Sequence, residues 1–273
     1  MSDAVGASTL GQAAWLLWTA AVVVVMLGAH VALGYLRLAQ RATAAKPRWA
    51  LAAAASVALG TGIWAAMLLG VASQDLAYEL GFGALLLGAA WCAAVAAAAV
   101  PMTLMARWPN AGIVVASGLL IGAGAVVAQM LVVVATGLQP EQTWRWDAIA
   151  LAGPMAASGG VGGLWIAFLA GGRQGQRRRV WRWLAAAMLG FAVLACQDLV
   201  TTAAGLERQT ASTHQHEVPA VVASLVAGIG VPMALVLLWA DLKMRRELGR
   251  QARLGVAAAP LRRKRVRRRY RPY

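Results

Sequence analysis

The sequence predicts an all-α integral membrane protein with seven transmembrane helices, three repeated helix pairs plus a seventh helix. Three observations carry that prediction. The 273 residues are 60% hydrophobic and only 13% charged, whereas a soluble domain carries about 25% charge. The apolar residues gather into seven runs, each about 20 residues or more, the length that crosses ~30 Å of hydrocarbon. The charges fall in the short stretches between those runs, and mostly on one side. In hydrocarbon every run has to be helical, because each backbone polar group must be satisfied within its own segment.

The runs cover 14–36, 50–72, 80–102, 111–136, 148–170, 182–204 and 219–240. The start, Met1-Ser2-Asp3-Ala4-Val5, has no basic leader, so the first run reads as a span rather than a cleaved signal. Residues 1–13 are then a short extracytoplasmic segment. Residues 14–204 form the six-helix repeat, 205–218 an outer loop, 219–241 the seventh span and 242–273 a basic tail.

Loop charge sets the orientation. Arg37, Arg41, Lys46 and Arg48 follow the first run, Arg107 follows the third, and Arg173, Arg177, Arg178, Arg179 and Arg182 follow the fifth. The tail beyond residue 241 adds 13 more, so one face collects 23 of the 25 Lys and Arg residues. The opposite loops hold Asp75, Glu79, Glu141, Asp147, Glu207 and Glu217, with Arg145 and Arg208. The positive-inside rule places the basic face in the cytoplasm, with the N-terminus outside and the C-terminus inside. Much of the net charge of +15 is this asymmetry. Eight of the ten residues Arg262 to Arg271 are basic, and such a tail draws anionic lipid at about 1 kcal/mol per charge. An acidic protein partner fits the same charge. Nucleic acid is not the expected partner: Tyr270 and Tyr273 are available to stack, but no recognition motif accompanies them. Cys92 and Cys196 lie inside spans, so no disulfide framework is expected.

The three outward-running helices, the second, fourth and sixth, end in one short pattern. It reads Gly60-Thr61-Gly62-Ile63-Trp64-Ala65-Ala66-Met67, then Gly122-Ala123-Gly124-Ala125-Val126-Val127-Ala128-Gln129, then Gly190-Phe191-Ala192-Val193-Leu194-Ala195-Cys196-Gln197. Equal topology and near-equal spacing point to one helix pair copied three times. Met67, Gln129 and Gln197 should therefore share a depth near the outer surface. The small residues about two turns below them should let helix backbones approach closely. Gly118 and Gly122 add a Gly-x-x-x-Gly spacing on the fourth helix.

These patterns, the seven-helix layout and Asp75, Tyr78 and Glu79 after the first motif resemble the bacterial MHYT domain over about residues 10–205. In that family each motif reads roughly Gly-x-Gly-Ile-x-x-Met-His-Tyr-x-Gly-Met. The resemblance implies an integral-membrane sensor module, often fused to cyclic-di-GMP enzymes. It also implies copper held by Met and His near the outer surface, with oxygen, carbon monoxide or nitric oxide as signals. Gly60-Thr61-Gly62-Ile63-Trp64, with Gly70 downstream, carries the likeness best. This sequence departs at the ligand positions. Ala66-Met67, Ala128-Gln129 and Cys196-Gln197 replace Met-His, and Leu68, Met130 and Asp198 replace the aromatic residue. The later Gly-Met becomes Gly70-Val71, Val132-Val133 and Val200-Thr201. Not one motif histidine remains, and Gln is a poor copper ligand. The expectation is a degenerate member that keeps the scaffold without the metal chemistry, and no signalling domain is expected in the residues after the last span.

Several residues have two readings. Gln129, Gln197 and Asp198 are polar groups at one depth: a hydrogen-bonded helix network, or a pocket for a proton, ion or polar ligand with Asp198 as its charged member. Met67, Met130 and Cys196 are core packing, or soft ligands for Cu(I). His30 is a packed core histidine, or a proton relay or haem ligand, although no second histidine stands at membrane depth for a bis-His haem. His214-Gln215-His216-Glu217 is a solvated loop, or a weak metal or pH-responsive site. Trp144, Trp146, Trp181 and Trp183 read as interface anchors. No nucleophile–base set, phosphate loop or paired intramembrane carboxylates are present, so no enzyme activity and no cofactor are expected. The reading is a non-catalytic sensory or scaffolding protein acting through an unidentified protein partner. Its alternatives are a copper or gas sensor with substituted ligands, and an accessory subunit or small transporter.

Overall fold

The computed structural model describes residues 2–74, 76, 78–139, 143–170, 175–205, 211–214, 216–245, 247 and 248, without the side chains of 2–13 and 175–178. Asp75, Glu141, Arg173, Glu207, Arg208, Gln215 and the tail from residue 249 on lie outside the described residues.

Among the described residues, seven helices are long and apolar enough to cross a membrane: Ala14–Arg41, Ala45–Ala72, Ala84–Arg107, Ala111–Val134, Trp146–Leu169, Arg179–Ala204 and Ala220–Arg245. The first six belong to α1 (Ser2–Arg41), α2 (Ala45–Ala72), α3 (Ala84–Arg107), α4 (Ala111–Val134), α5 (Trp146–Leu169) and α6 (Gly175–Ala204). Boundaries shift in three places. Helix α1 is already helical from Ser2, while the apolar span within it begins at Ala14. Helix α3 starts at Ala84 rather than 80, because Gly81–Phe82 is taken by a short strand. The seventh span opens with α7 (Ala220–Leu225) and then a π-helical turn, Val226–Gly230, which holds Gly228 and Gly230.

The chain divides into two compact units, Met1–Leu235 and Val236–Tyr273. In the first, α1 to α6 form a closed ring: each helix packs on the next, and α6 packs on α1. Helices α2, α4 and α6 also touch one another across the ring. In the second unit, Arg245 pairs with Asp241 at 2.7 Å, and Lys243 sits over the Trp239 ring at 5.7 Å.

The repeated pattern explains how the ring closes. The first residue of each pattern meets the helix that follows. A Cβ at Gly60 would fall 2.5 Å from Cα of Val95 on α3, and one at Gly122 would fall 2.5 Å from the backbone nitrogen of Ala157 on α5. At Gly190 it would meet Met26 and Val25 of α1, at 3.1 Å from each side chain. The third residue meets the helix that precedes. Gly62 lies against Gly28 of α1, Gly124 against Ala97 of α3, and Ala192 against Gly159 of α5. Positions one and three lie about 200° apart around a helix with 3.6 residues per turn, so one small-residue pair serves two seams. Dispersion between closely approached backbones stabilises such seams where no water is present to drive burial. Indole donors add to the α2–α3 seam: Trp64 Nε1 donates to the Leu87 carbonyl at 3.1 Å, and Trp91 Nε1 to Thr61 Oγ1 at 3.0 Å.

The loops after α2, α4 and α6 are stitched into one cap. Strand β1 (Gly81–Phe82) pairs antiparallel with β4 (Val218–Pro219), and β2 (Leu138–Gln139) with β3 (Ala211–Ser212). The Gly83 N–H donates to the Ala135 carbonyl at 2.7 Å, tying the first loop to the second. Ser212 Oγ donates to the Thr136 carbonyl at 2.6 Å and also bonds Gly81. Glycines make the turns: Gly137 and Gly205 follow α4 and α6 at φ 54° and 64°, the left-handed region that side chains avoid.

Candidate functional site

The last two positions of the three patterns all face the protein interior. Ala66, Met67, Ala128, Gln129, Cys196 and Gln197 are each 0% exposed. Met67 and Gln129 stand five residues before the ends of α2 and α4, and Gln197 seven before the end of α6. At 1.5 Å per residue these lie at about 8–10 Å below the loop cap.

Gln129 and Gln197 are the unusual pair. In both side chains neither Nε2 nor Oε1 has a hydrogen-bond partner among the described residues. A carboxamide brings two donors and one acceptor oxygen, and leaving a buried polar group unpaired costs about 1–3 kcal/mol. The nearby hydroxyls do not relieve them. Thr201 Oγ1 donates to the Gln197 and Asp198 backbone carbonyls, both at 3.0 Å, and Thr202 Oγ1 to the Asp198 carbonyl at 2.7 Å. Space for the Gln197 amide comes from Gly70 on α2, where a Cβ would overlap that amide. The Gly70 carbonyl itself is satisfied by Ser73 Oγ at 2.8 Å. The sequence marked Gly70 only as part of a pattern; its role as the floor under Gln197 needed the fold.

The other predicted residues go elsewhere. Asp198 is exposed, one residue and about 100° round α6 from Gln197, outside the buried pair. Cys196 turns toward α5 and sits in an apolar cluster with Ala152, Ala156 and Val200, against which Met130 and Trp144 pack. Met67 is not in that cluster. Cys92 is exposed, and both cysteines are free thiols.

Copper is what the family resemblance would place here, and the donor set does not fit it. The motif depth offers one thioether, Met67, two glutamines and no imidazole, and the one thiol is enclosed apart from Met67 by hydrocarbon from α4, α5 and α6. Among the described residues no three His, Cys, Asp or Glu side chains converge as metal ligands.

His214 and Glu217 belong to the cap. The Glu217 carboxylate accepts from the Ala84 N–H at 3.2 Å and pairs with His214 Nδ1 at 3.0 Å. These two partners, the amide first, hold the Glu217 carboxyl below the usual carboxylate range. The His214 ring lies over Gly83 and Gly137, close enough that a Cβ on either would meet it. His216 is exposed. Tyr78 is partly buried, and burial pushes its hydroxyl pKa upward.

His30 is 5% exposed and stacks on Trp183 at 4.0 Å between ring centres. Arg182 Nη2 lies 2.8 Å from His30 Nε2. A guanidinium only donates, so in this contact His30 Nε2 is the acceptor. This α1–α6 tie, with Arg37 Nη2 donating to the Ala167 carbonyl of α5 at 3.1 Å, stands on the basic face, opposite the cap.

No family model, curated protein or solved structure matches this chain.

Proposed function

We propose that the protein is a non-catalytic sensory or scaffolding component of a bacterial inner membrane, an MHYT-like scaffold without that family's metal site. The observation that carries this reading is the pair of fully buried, unpartnered amides of Gln129 and Gln197, held at one depth beneath a shared loop cap. Folding alone gains nothing from two unsatisfied carboxamides, so they suit a small, uncharged polar ligand that supplies both donors and acceptors. The signal enters from the capped, extracytoplasmic side, among α2, α4 and α6. The N-terminus is outside and the basic C-terminal tail is cytoplasmic, as the concentration of 23 of 25 Lys and Arg residues on one face supports. Output passes to a protein partner through that tail.

The test is elemental analysis and an absorption spectrum of the full-length protein purified in detergent, beside the Gln129→Leu/Gln197→Leu variant. No stoichiometric metal and no haem band are expected in either sample. A stoichiometric metal or a haem band in the wild-type protein would overturn this reading in favour of a sensor with rebuilt ligands.

A further inference from the structure

A cleft opens on the basic face, at the helix ends opposite the loop cap. Helix α2 begins at Ala45 and α3 ends at Arg107, and these two helices pack together. Between their ends lies a cleft of about 90 Å³ lined by Arg48, Trp49, Thr103, Arg107 and three alanines. That is several times the ~10–15 Å³ a single water needs. We propose that this cleft binds the headgroup of an anionic phospholipid, with its phosphate held between the Arg48 and Arg107 guanidiniums.

Charge, orientation and depth agree on that occupant. Two guanidiniums line one small cleft, and neither forms an ion pair among the described residues. Arg48 is fixed in place, because its Nε and Nη2 donate to the Ala42 carbonyl at 3.3 and 2.8 Å. That leaves the remaining N–H groups of its five-donor fork for a ligand oxygen. The Arg107 guanidinium stacks over the Trp108 ring at 4.7 Å, which orients it without using its hydrogen-bond donors. Trp49 and Trp108 are 51% and 52% exposed at the helix ends, the depth at which amphipathic rings meet headgroups. Val100, one turn above Thr103 on the same face of α3, is 52% exposed and extends the surface into the acyl region. A free phosphate would use the guanidiniums alone; a lipid uses the aromatic collar and the apolar flank as well.

The experiment is native mass spectrometry of the full-length protein released from lipid nanodiscs of phosphatidylglycerol or phosphatidylcholine. The wild-type protein should retain a phosphatidylglycerol adduct and not a phosphatidylcholine one. Arg48→Gln/Arg107→Gln should lower its occupancy about tenfold or more, the loss expected for charged hydrogen bonds. Arg107→Gln alone should lower it too. Arg107 makes no hydrogen bond within the described protein, so that variant keeps the fold even where the double variant does not. Arg145→Gln, at an exposed residue on the cap face, should leave occupancy unchanged, and the tail is the same in every sample. Equal phosphatidylglycerol retention by wild type and Arg107→Gln would overturn the proposal. So would equal retention of the two lipids. Binding of inorganic phosphate that depends on Arg107, with lipid retention unaffected, would also overturn it by assigning the cleft to a free anion.

Discussion

Gln197 shows most sharply what a single residue costs and what it is for. Its amide is buried against Gly70 with both polar atoms unpartnered, and the Gln129 amide is in the same state. Two mechanisms make opposite predictions for a leucine of similar shape. If the amides bonded into a helix network, Gln→Leu would leave partners orphaned and destabilise the fold. With no partner to orphan, Gln129→Leu and Gln197→Leu should each raise stability in detergent, by up to about 1–3 kcal/mol. Thermal melts of the two variants decide between them, and a lowered Tm in both would sink the ligand-site reading. Gly70→Ala acts from the other side of the contact. Its Cβ overlaps the Gln197 amide, and overpacking of this kind costs about 1–3 kcal/mol.

At the scale of the helix, the pattern is a statement about seams, and the seams are not equal. Gly60 and Gly122 face backbone atoms at 2.5 Å, while Gly190 faces the movable side chains of Met26 and Val25 at 3.1 Å. Alanine at Gly60 or Gly122 should therefore cost about 1–3 kcal/mol, and alanine at Gly190 distinctly less. Gly88, with nothing within 4 Å of its would-be Cβ, should gain up to about 1 kcal/mol from better helix propensity. Denaturant unfolding in mixed micelles ranks the four, and a flat series would mean that the ring does not depend on these contacts. The same elements show what was legible in sequence. Helices and their glycine spacing follow from hydropathy and period, which are local. The cap was not legible: its strands are two residues long, and each pairs across more than 70 positions, Leu138 with Ser212 and Gly81 with Pro219. His214-x-His216-Glu217 reads in sequence as a solvated loop or a weak metal or pH-responsive site; in the structure His216 and Glu217 are exposed, and the Glu217 carboxylate pairs with His214 and accepts from the first amide of α3. Glu217 gives that tie a pH dependence. Its carboxyl lies below its ordinary 4.5 when folded, so the stabilisation is complete above 4.5 and is lost as pH falls through the lower folded value. Hydrogen exchange at Gly81–Ala84 should rise on acidification in the wild-type protein. Glu217→Gln should remove that pH response, and persistence of the response in the variant would show that another group opens the cap.

For the whole molecule, two poles follow from the same helix ring. The capped pole holds uncharged buried amides, and the opposite pole collects guanidiniums, among them Arg48 and Arg107 at the cleft and Arg182 at His30. In the proposed reading, a signal bound at the first pole would reach the second through the helix ring, in which α2, α4 and α6 carry the motifs and touch one another. The proposed output leaves by the basic face, where the tail beyond position 241 supplies 13 basic residues. Deleting residues 255–273 should leave membrane insertion and the Tm intact, because Met1–Leu235 forms a compact unit without them. The deletion should remove a protein partner from the co-purifying set. The clean version compares full-length and truncated protein from the same membranes by quantitative mass spectrometry, with salt raised during washing. Diffuse attraction between exposed charges is screened within about 8 Å at physiological ionic strength and further above it, so a partner that survives the wash only with the tail present is bound specifically. An identical set from both proteins would move the output away from the tail. The helix ends of the basic face would then be the surface to probe, beginning with the Arg48–Arg107 cleft.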